Sequence, residues 1–166
     1  MNPENIFYRR ANISDLESIL VLQYENQLHV GGTLSASLSS SLISEMIEAM
    51  PVIVAVCDKQ LVGYLIISTP EMNADIPIVV EMLKVHPADD NSLINGPICV
   101  SDRMRGHGIA QGLYGELRRI NPGHNYLCFI RADNDASIRA HSKIGMREVG
   151  RYLFNYVNHV IFSYDA

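Results

Sequence analysis

The chain has no tryptophan, three cysteines among its 166 residues, and only 7% aromatic residues. Cys57, Cys99 and Cys128 each lie in an apolar run. Their odd number and the lack of a C-x-x-C pair exclude a disulfide framework and a paired-thiol zinc or redox motif. No run reaches the roughly 18 consecutive apolar residues that a membrane-spanning helix needs. Positive charge is scarce as well: 13 Lys and Arg stand against 18 Asp and Glu, a net charge of −5. No basic stripe offsets that charge beyond the Arg103/Arg105 and Arg118/Arg119 region. Binding to nucleic acid or to an anionic membrane surface is therefore not expected, whereas a cationic, amine-bearing partner suits the acidic balance. Met1–Asn5 carries neither the basic nor the apolar region of a secretory leader, so the expected compartment is the cytoplasm. There is no internal repeat. What is present, 48% apolar and 19% charged residues, is the composition of a globular chain. Its length suits one domain over 1–166 with a core of its own.

Periodicity predicts the order β, α, α, β, β, α, β, α, β, α, β, β, hence a mixed sheet with helices on both faces, an α/β (α+β) domain. Ile6 to Arg9 reads as the first strand. Ser14-Asp15-Leu16-Glu17 reads as a capping box that opens a helix with Leu16, Ile19, Leu20 and Tyr24 facing inward. After Gly31-Gly32, apolar spacing from Leu34 to Met50 predicts a second helix that ends at Pro51. Pro51–Val56 and Leu61–Ser68 form a predicted hairpin around Asp58-Lys59-Gln60. Ile76–Val85 favours a short helix, and Arg147–Phe154 with His159–Tyr164 predicts a closing hairpin.

The segment richest in chemistry is Gly96-Pro97-Ile98-Cys99-Val100-Ser101-Asp102-Arg103-Met104-Arg105-Gly106-His107-Gly108-Ile109-Ala110. A short strand runs through a basic, glycine-punctuated turn into a helix on which Ile109, Leu113, Leu117 and Ile120 recur, and Asn121-Pro122-Gly123 ends it. Free N–H groups and the positive end of the helix dipole favour an anion there. Gly106 and Gly108 let it approach the backbone, and Arg105, with a smaller share from Arg103, adds charged donors. Taken alone, the turn is also compatible with an ordinary strand–loop–helix junction. A Rossmann turn is disfavoured because Gly112 comes one residue late for G-x-G-x-x-G, and a Walker loop is excluded because no Gly-Lys-Ser/Thr follows.

A second segment, Asn134-Asp135-Ala136-Ser137-Ile138-Arg139-Ala140-His141-Ser142-Lys143-Ile144-Gly145-Met146, predicts another helix, preceded by a strand over Tyr126–Arg131. At about 100° per residue Asn134, Ser137 and His141 share one stripe of it. Asn134 can equally be a helix cap and His141 a partly buried polar residue.

With R-x-x-G-x-G and the Asn134–Met146 segment in this order, the chain resembles the GNAT superfamily of N-acetyltransferases. The resemblance implies a largely antiparallel sheet with a splayed central parallel pair, acetyl-CoA as cofactor, no metal, and transfer of acetyl to a small-molecule or peptide amine; it is compatible with a homodimer. It further implies that the pyrophosphate lies on Arg103, Arg105, Gly106, His107, Gly108, Ile109 and Ala110. Pantetheine would run beside Ile98, Cys99 and Val100, with Asn134 and Ser137 on the cofactor. His141 stands where many members have a Tyr that protonates the departing thiolate, and Tyr114 is an alternative donor or a packing residue. Glu25, Glu81, His86, Asp102 and His159 are undivided candidates for the general base. The resemblance also leaves open a non-catalytic acyl-CoA-binding regulatory module.

Overall fold

Seven strands make one mixed sheet in the order β1-β2-β3-β4-β5-β7-β6 in the computed structural model, which describes residues 5–166. In chain order the elements are β1 (Ile6–Arg10), α1 (Leu16–Glu25), α2 (Ser40–Ala49), β2 (Ile53–Cys57), β3 (Gln60–Ser68), α3 (Pro77–Val85), β4 (Ser92–Val100), α4 (Ile109–Ile120), β5 (Asn125–Arg131), α5 (Asp135–Lys143), β6 (Arg147–Phe154) and β7 (Val157–Tyr164). The sequence pattern anticipates this order. Two compact units share the chain, one made of everything up to Ile67 with Gly96–Asn121, the other of Ser68–Asn95 with Pro122–Ala166.

In the first unit β1 and β3 flank β2 antiparallel. Every residue of β2 is buried, which is why it reads as an unbroken apolar run rather than an alternating one. The hairpin turns on Asp58 and Lys59, both at positive φ (48° and 67°), the geometry of the two-residue turns that match strand twist. Helix α4 packs on β1 and β2. Its Gly112 is there for that contact: a Cβ at Gly112 would lie 2.0 Å from the Tyr8 ring. The third glycine of the cluster therefore serves packing rather than a nucleotide.

Helix α1 differs from expectation at its start and on its inner face. A 3₁₀ turn over Ile13–Asp15 precedes it, and the capping box is Asn12 with Asp15. The buried face is Ile19, Leu22 and Gln23, while Tyr24 is 62% exposed. Helix α2 begins only at Ser40, where the Ser39 hydroxyl accepts from Leu42 N–H. The serines between Leu34 and Ser39 keep that stretch out of the helix, because their hydroxyls favour caps over helix interiors.

Asp15 accepts both guanidinium arms of Arg9 at 2.7 and 2.8 Å and the Asn12 N–H at 2.9 Å. Burial alone would raise its pKa, but these donors outweigh burial and hold it below the usual carboxylate value. Stability linked to Asp15 is therefore present above the unfolded pKa of about 3.9 and lost as the pH falls through the lower folded value. Asp15→Asn is expected to cost roughly 1–2 kcal/mol at neutral pH, read by urea unfolding. The gap to the native protein should close on acidification below about pH 4.

In the second unit β5 pairs with β7 over Tyr126–Arg131 and β7 pairs with β6. The hairpin turn Asn155–Tyr156 again has positive φ at both residues, 47° and 63°. Helix α3 packs on β6, and Val79, Met82, Ile94, Leu127, Tyr152 and Ile161 form a buried cluster. Strand β4 starts at Ser92, earlier than the Asn95-Gly96-Pro97 sequence suggests. Its parallel ladder with β5 covers only Ser92–Ile94 against Asn125–Leu127. Pro97, without an N–H, cannot extend a ladder.

Candidate functional site

The glycine turn is built in the first unit. After β4 a 3₁₀ turn over Asp102–Met104 leads to Gly106 and Gly108, both in the left-handed region at φ 81° and 74°. Gly108 is the N-cap of α4 and brings no side-chain cap. The helix's first internal bond is Gly112 N–H to Gly108 O at 3.0 Å. The N–H groups of Gly106, His107, Gly108, Ile109, Ala110 and Gln111 consequently have no acceptor among the described residues. Left-handed residues within such a run form an anion-binding concavity, and the helix dipole points its positive end the same way. No acidic side chain occupies the first turn of α4, while Arg118 and Arg119 lie at its far end. A Cβ on Gly106 would meet nothing within 4 Å, so its role is conformational.

The two arginines of the turn are not equivalent. Arg105 is committed: its guanidinium pairs with Asp102 at 2.6 Å and donates to Asn26 Oδ1 at 2.7 Å. Asn26 is itself buried and donates from Nδ2 to Leu22 O at 2.8 Å, so Arg105 ties the turn to the end of α1. Arg103 is exposed and has no ion pair among the described residues. Of the two, Arg105 is the one tied up in protein contacts, whereas the sequence puts it ahead of Arg103 as a phosphate donor, and the two variants decide between these rankings. Arg103→Ala should weaken CoA binding by on the order of tenfold with unchanged unfolding midpoint. Arg105→Ala should lower the midpoint, because it strands the Asn26 amide; calorimetric titration and urea unfolding of both variants check this.

Beside the turn, a groove of about 740 Å³ is lined by α1, the β2–β3 turn and Ser101–Arg103. Glu25, Asp102 and Arg103 meet on it. Nothing in the sequence pattern announced Asn26 or this groove, since both depend on where α1 ends. Along β4, Cys99 is buried between the half-buried Ile98 and Val100, and burial pushes its thiol up to about 11. Cys128 rises to about 12 for the same reason. Both thiols stay protonated at neutral pH and are poor nucleophiles. Tyr114 is buried with Ile109, Leu113 and Leu117 on α4.

Asn134, Ser137 and His141 come together in the second unit as the helical stripe implies. Asn134 Oδ1 accepts from Ser137 N–H at 3.1 Å and caps α5. Its Nδ2 donors have no partner among the described residues. His141, 3% exposed, lies with its ring centroid 6.3 Å from that of Phe162. Its Nδ1 is 2.8 Å from Ser137 O. A carbonyl can only accept, so Nδ1 carries the hydrogen, and in the neutral ring Nε2 holds the lone pair. Burial lowers its pKa, with the bond to Ser137 O acting the other way. The ring therefore rests neutral, a form without a hydrogen on Nε2 to give.

Searched by sequence, the chain matches no family model and no curated protein. Solved structures do match. An acetyltransferase of the GNAT family from Streptococcus agalactiae aligns at a TM-score of 0.73 and 18% identity, over 97% of this chain and 95% of that one. Arabidopsis thaliana NAA60 in complex with acetyl-CoA aligns at 0.71 and 18%, over 97% and 99%. A ribosomal-protein-alanine N-acetyltransferase from Brucella melitensis aligns at 0.68 and 22%, over 96% and 99%. The chain has the GNAT fold. The partial β4–β5 ladder is the splayed pair expected of that fold, and the Gly106–Gly108 turn opens the helix that follows β4. Helix α3 lies between β3 and β4. No helix of this GNAT-fold protein, among the described residues, is long and apolar enough to cross a membrane.

Proposed function

We propose that the protein transfers acetyl from acetyl-CoA to a primary amine of a small molecule or peptide, by direct attack within a ternary complex. The observation that carries this reading is the run of six acceptor-less N–H groups around Gly106 and Gly108, at the start of α4 in a GNAT fold. These N–H groups and Arg103 would take the pyrophosphate. The Ile98–Val100 backbone would pair with pantetheine as an added strand, and a backbone N–H near Val100 would stabilise the oxyanion. Asn134 Nδ2 would donate to the cofactor, and His141 would handle the proton of the leaving thiolate. Three free, buried cysteines suit a reducing cytoplasm.

Calorimetry with CoA, and release of free thiol from acetyl-CoA over a panel of amines, test the proposal; NAD and ATP should not raise the melting temperature as CoA does. One observation favours a second reading, a non-catalytic acyl-CoA-binding module: the resting tautomer of His141 has no Nε2 hydrogen to donate. CoA binding without thiol release for any amine would select that reading.

A further inference from the structure

Five side chains competed on sequence grounds to remove the proton of the incoming amine, and the structure separates them. Glu81 pairs with Lys84 at 2.6 Å and Asp102 with Arg105 at 2.6 Å. Glu25 is exposed, and His86 partly so, at the end of α3. His159 alone is buried, 3% exposed, and its ring is held by one hydrogen bond and two ring contacts. Its Nδ1 lies 3.0 Å from Val157 O, so Nδ1 donates its hydrogen there. Nε2 then holds the lone pair and has no partner among the described residues. Tyr152 of β6 stacks on the imidazole at 5.2 Å and 26°, and Phe129 of β5 meets it edge-on at 5.7 Å. Tyr152 is also buried, and its hydroxyl has no hydrogen-bond partner. Two bare polar atoms on stacked rings, of which Tyr152 belongs to the Val79 and Met82 cluster, mark a place that an arriving polar group would satisfy.

The position fits the chemistry. The β4–β5 ladder ends at Ile94–Leu127, and Phe129, two residues further along β5, touches His159. We propose that His159 Nε2 takes the proton from the acceptor ammonium, with Tyr152 as the positioning residue that holds the imidazole. This rests on the acetyl-transfer reading. The ammonium N–H bond breaks as the Nε2–H bond forms, and the freed amine pair attacks the thioester carbonyl. As the C–S bond then breaks, the second nitrogen proton goes to the thiolate, and the His159 imidazolium returns its proton to water.

A primary alkylamine is neutral in only about one molecule per thousand at pH 7, which is what makes a base necessary. The groups facing His159 are Arg131 from β5, ion-paired with Asp133 just beyond it, and Tyr152 from β6. Burial lowers the His159 pKa and Arg131 adds to that, outweighing the bond to Val157 O and the Asp133 charge, so the base is available through neutral pH.

The test compares an alkylamine with the alkoxyamine in which oxygen replaces the CH₂ next to nitrogen; the latter is already neutral at pH 7. His159→Gln should lower thiol release with the alkylamine by on the order of a hundredfold and leave the alkoxyamine rate unchanged. Raising the pH towards the alkylamine's own pKa should close the gap. The ratio of the two rates is independent of how much variant is folded, and Tyr152→Leu, which removes the stack that holds the imidazole, should show a smaller version of the same selectivity. Equal losses for the two amines in His159→Gln overturn the assignment while acetyl transfer stands. No thiol release by the native protein with either amine overturns both.

Discussion

Gly108→Val is expected to abolish CoA binding, by about a hundredfold or more in affinity, in a protein that still folds. Gly108 sits at φ 74° as the N-cap of α4, a conformation that costs an L residue about 1–2 kcal/mol and a β-branched one more. Its nearest outside atom to an added Cβ would be the flexible Gln111 Oε1 at 3.2 Å, so the damage is to backbone conformation and anion access rather than to the core. Relaxing the residue towards negative φ turns the neighbouring N–H groups out of their common direction, and the concavity is lost with them. Gly112→Ala provides the contrast within the same cluster. There the Cβ runs into Tyr8, so the unfolding free energy should fall by roughly 1–3 kcal/mol while CoA affinity per folded molecule holds. Calorimetric titration with CoA beside urea unfolding reads both quantities, and unchanged CoA affinity in folded Gly108→Val would remove the cradle assignment.

The contrast between those glycines shows what a sequence can carry. Gly106 and Gly108 act through local φ and the start of a helix, and both are legible from the turn and the apolar spacing that follows it. Helix α4 runs over Ile109–Ile120, as that spacing and the Asn-Pro-Gly stop imply. The role of Gly112 depends on Tyr8, over a hundred positions earlier, and no local pattern reveals it. The same division runs through the candidate site. Asn134, Ser137 and His141 follow one another at intervals of three and four residues, from the cap of one helix into it, so periodicity alone places them together. Arg105 and Asn26 meet only through tertiary packing, so the sequence, which ranks Arg105 above Arg103, carries no sign of the structural bond that Arg105 makes. His159 looked like one polar residue among five until β5 and β6 brought Phe129 and Tyr152 against it. Local rules also failed where two of them competed. Apolar spacing argued for helix from Leu34 onwards, but serine chemistry prevailed until Ser39 could act as a cap.

His141→Ala should lower kcat by roughly ten- to ten-thousandfold with little change in acetyl-CoA affinity. The structure fixes the direction of the pH dependence. With Nδ1–H given to Ser137 O and burial holding the pKa below its usual value, the ring rests neutral, and in the proposed role Nε2 would take the second proton of the attacking nitrogen and pass it to the sulfur. Activity that depends on it must then rise with pH through that lowered pKa and stay level above it; an imidazolium donor would give the opposite slope, with rate lost as the pH rises. His141→Tyr should recover part of the rate, since a phenol with a pKa of about 10 carries its own hydrogen throughout the neutral range. Leaving-group chemistry separates this role from that of His159. A thioester whose thiol is more acidic than CoA leaves without help, so the His141→Ala deficit should shrink with it, whereas changing the basicity of the amine should leave that deficit where it was. If instead the loss is the same for both thioesters, the imidazole acts through its packing against Phe162, and the thiolate takes its proton from water or from another group.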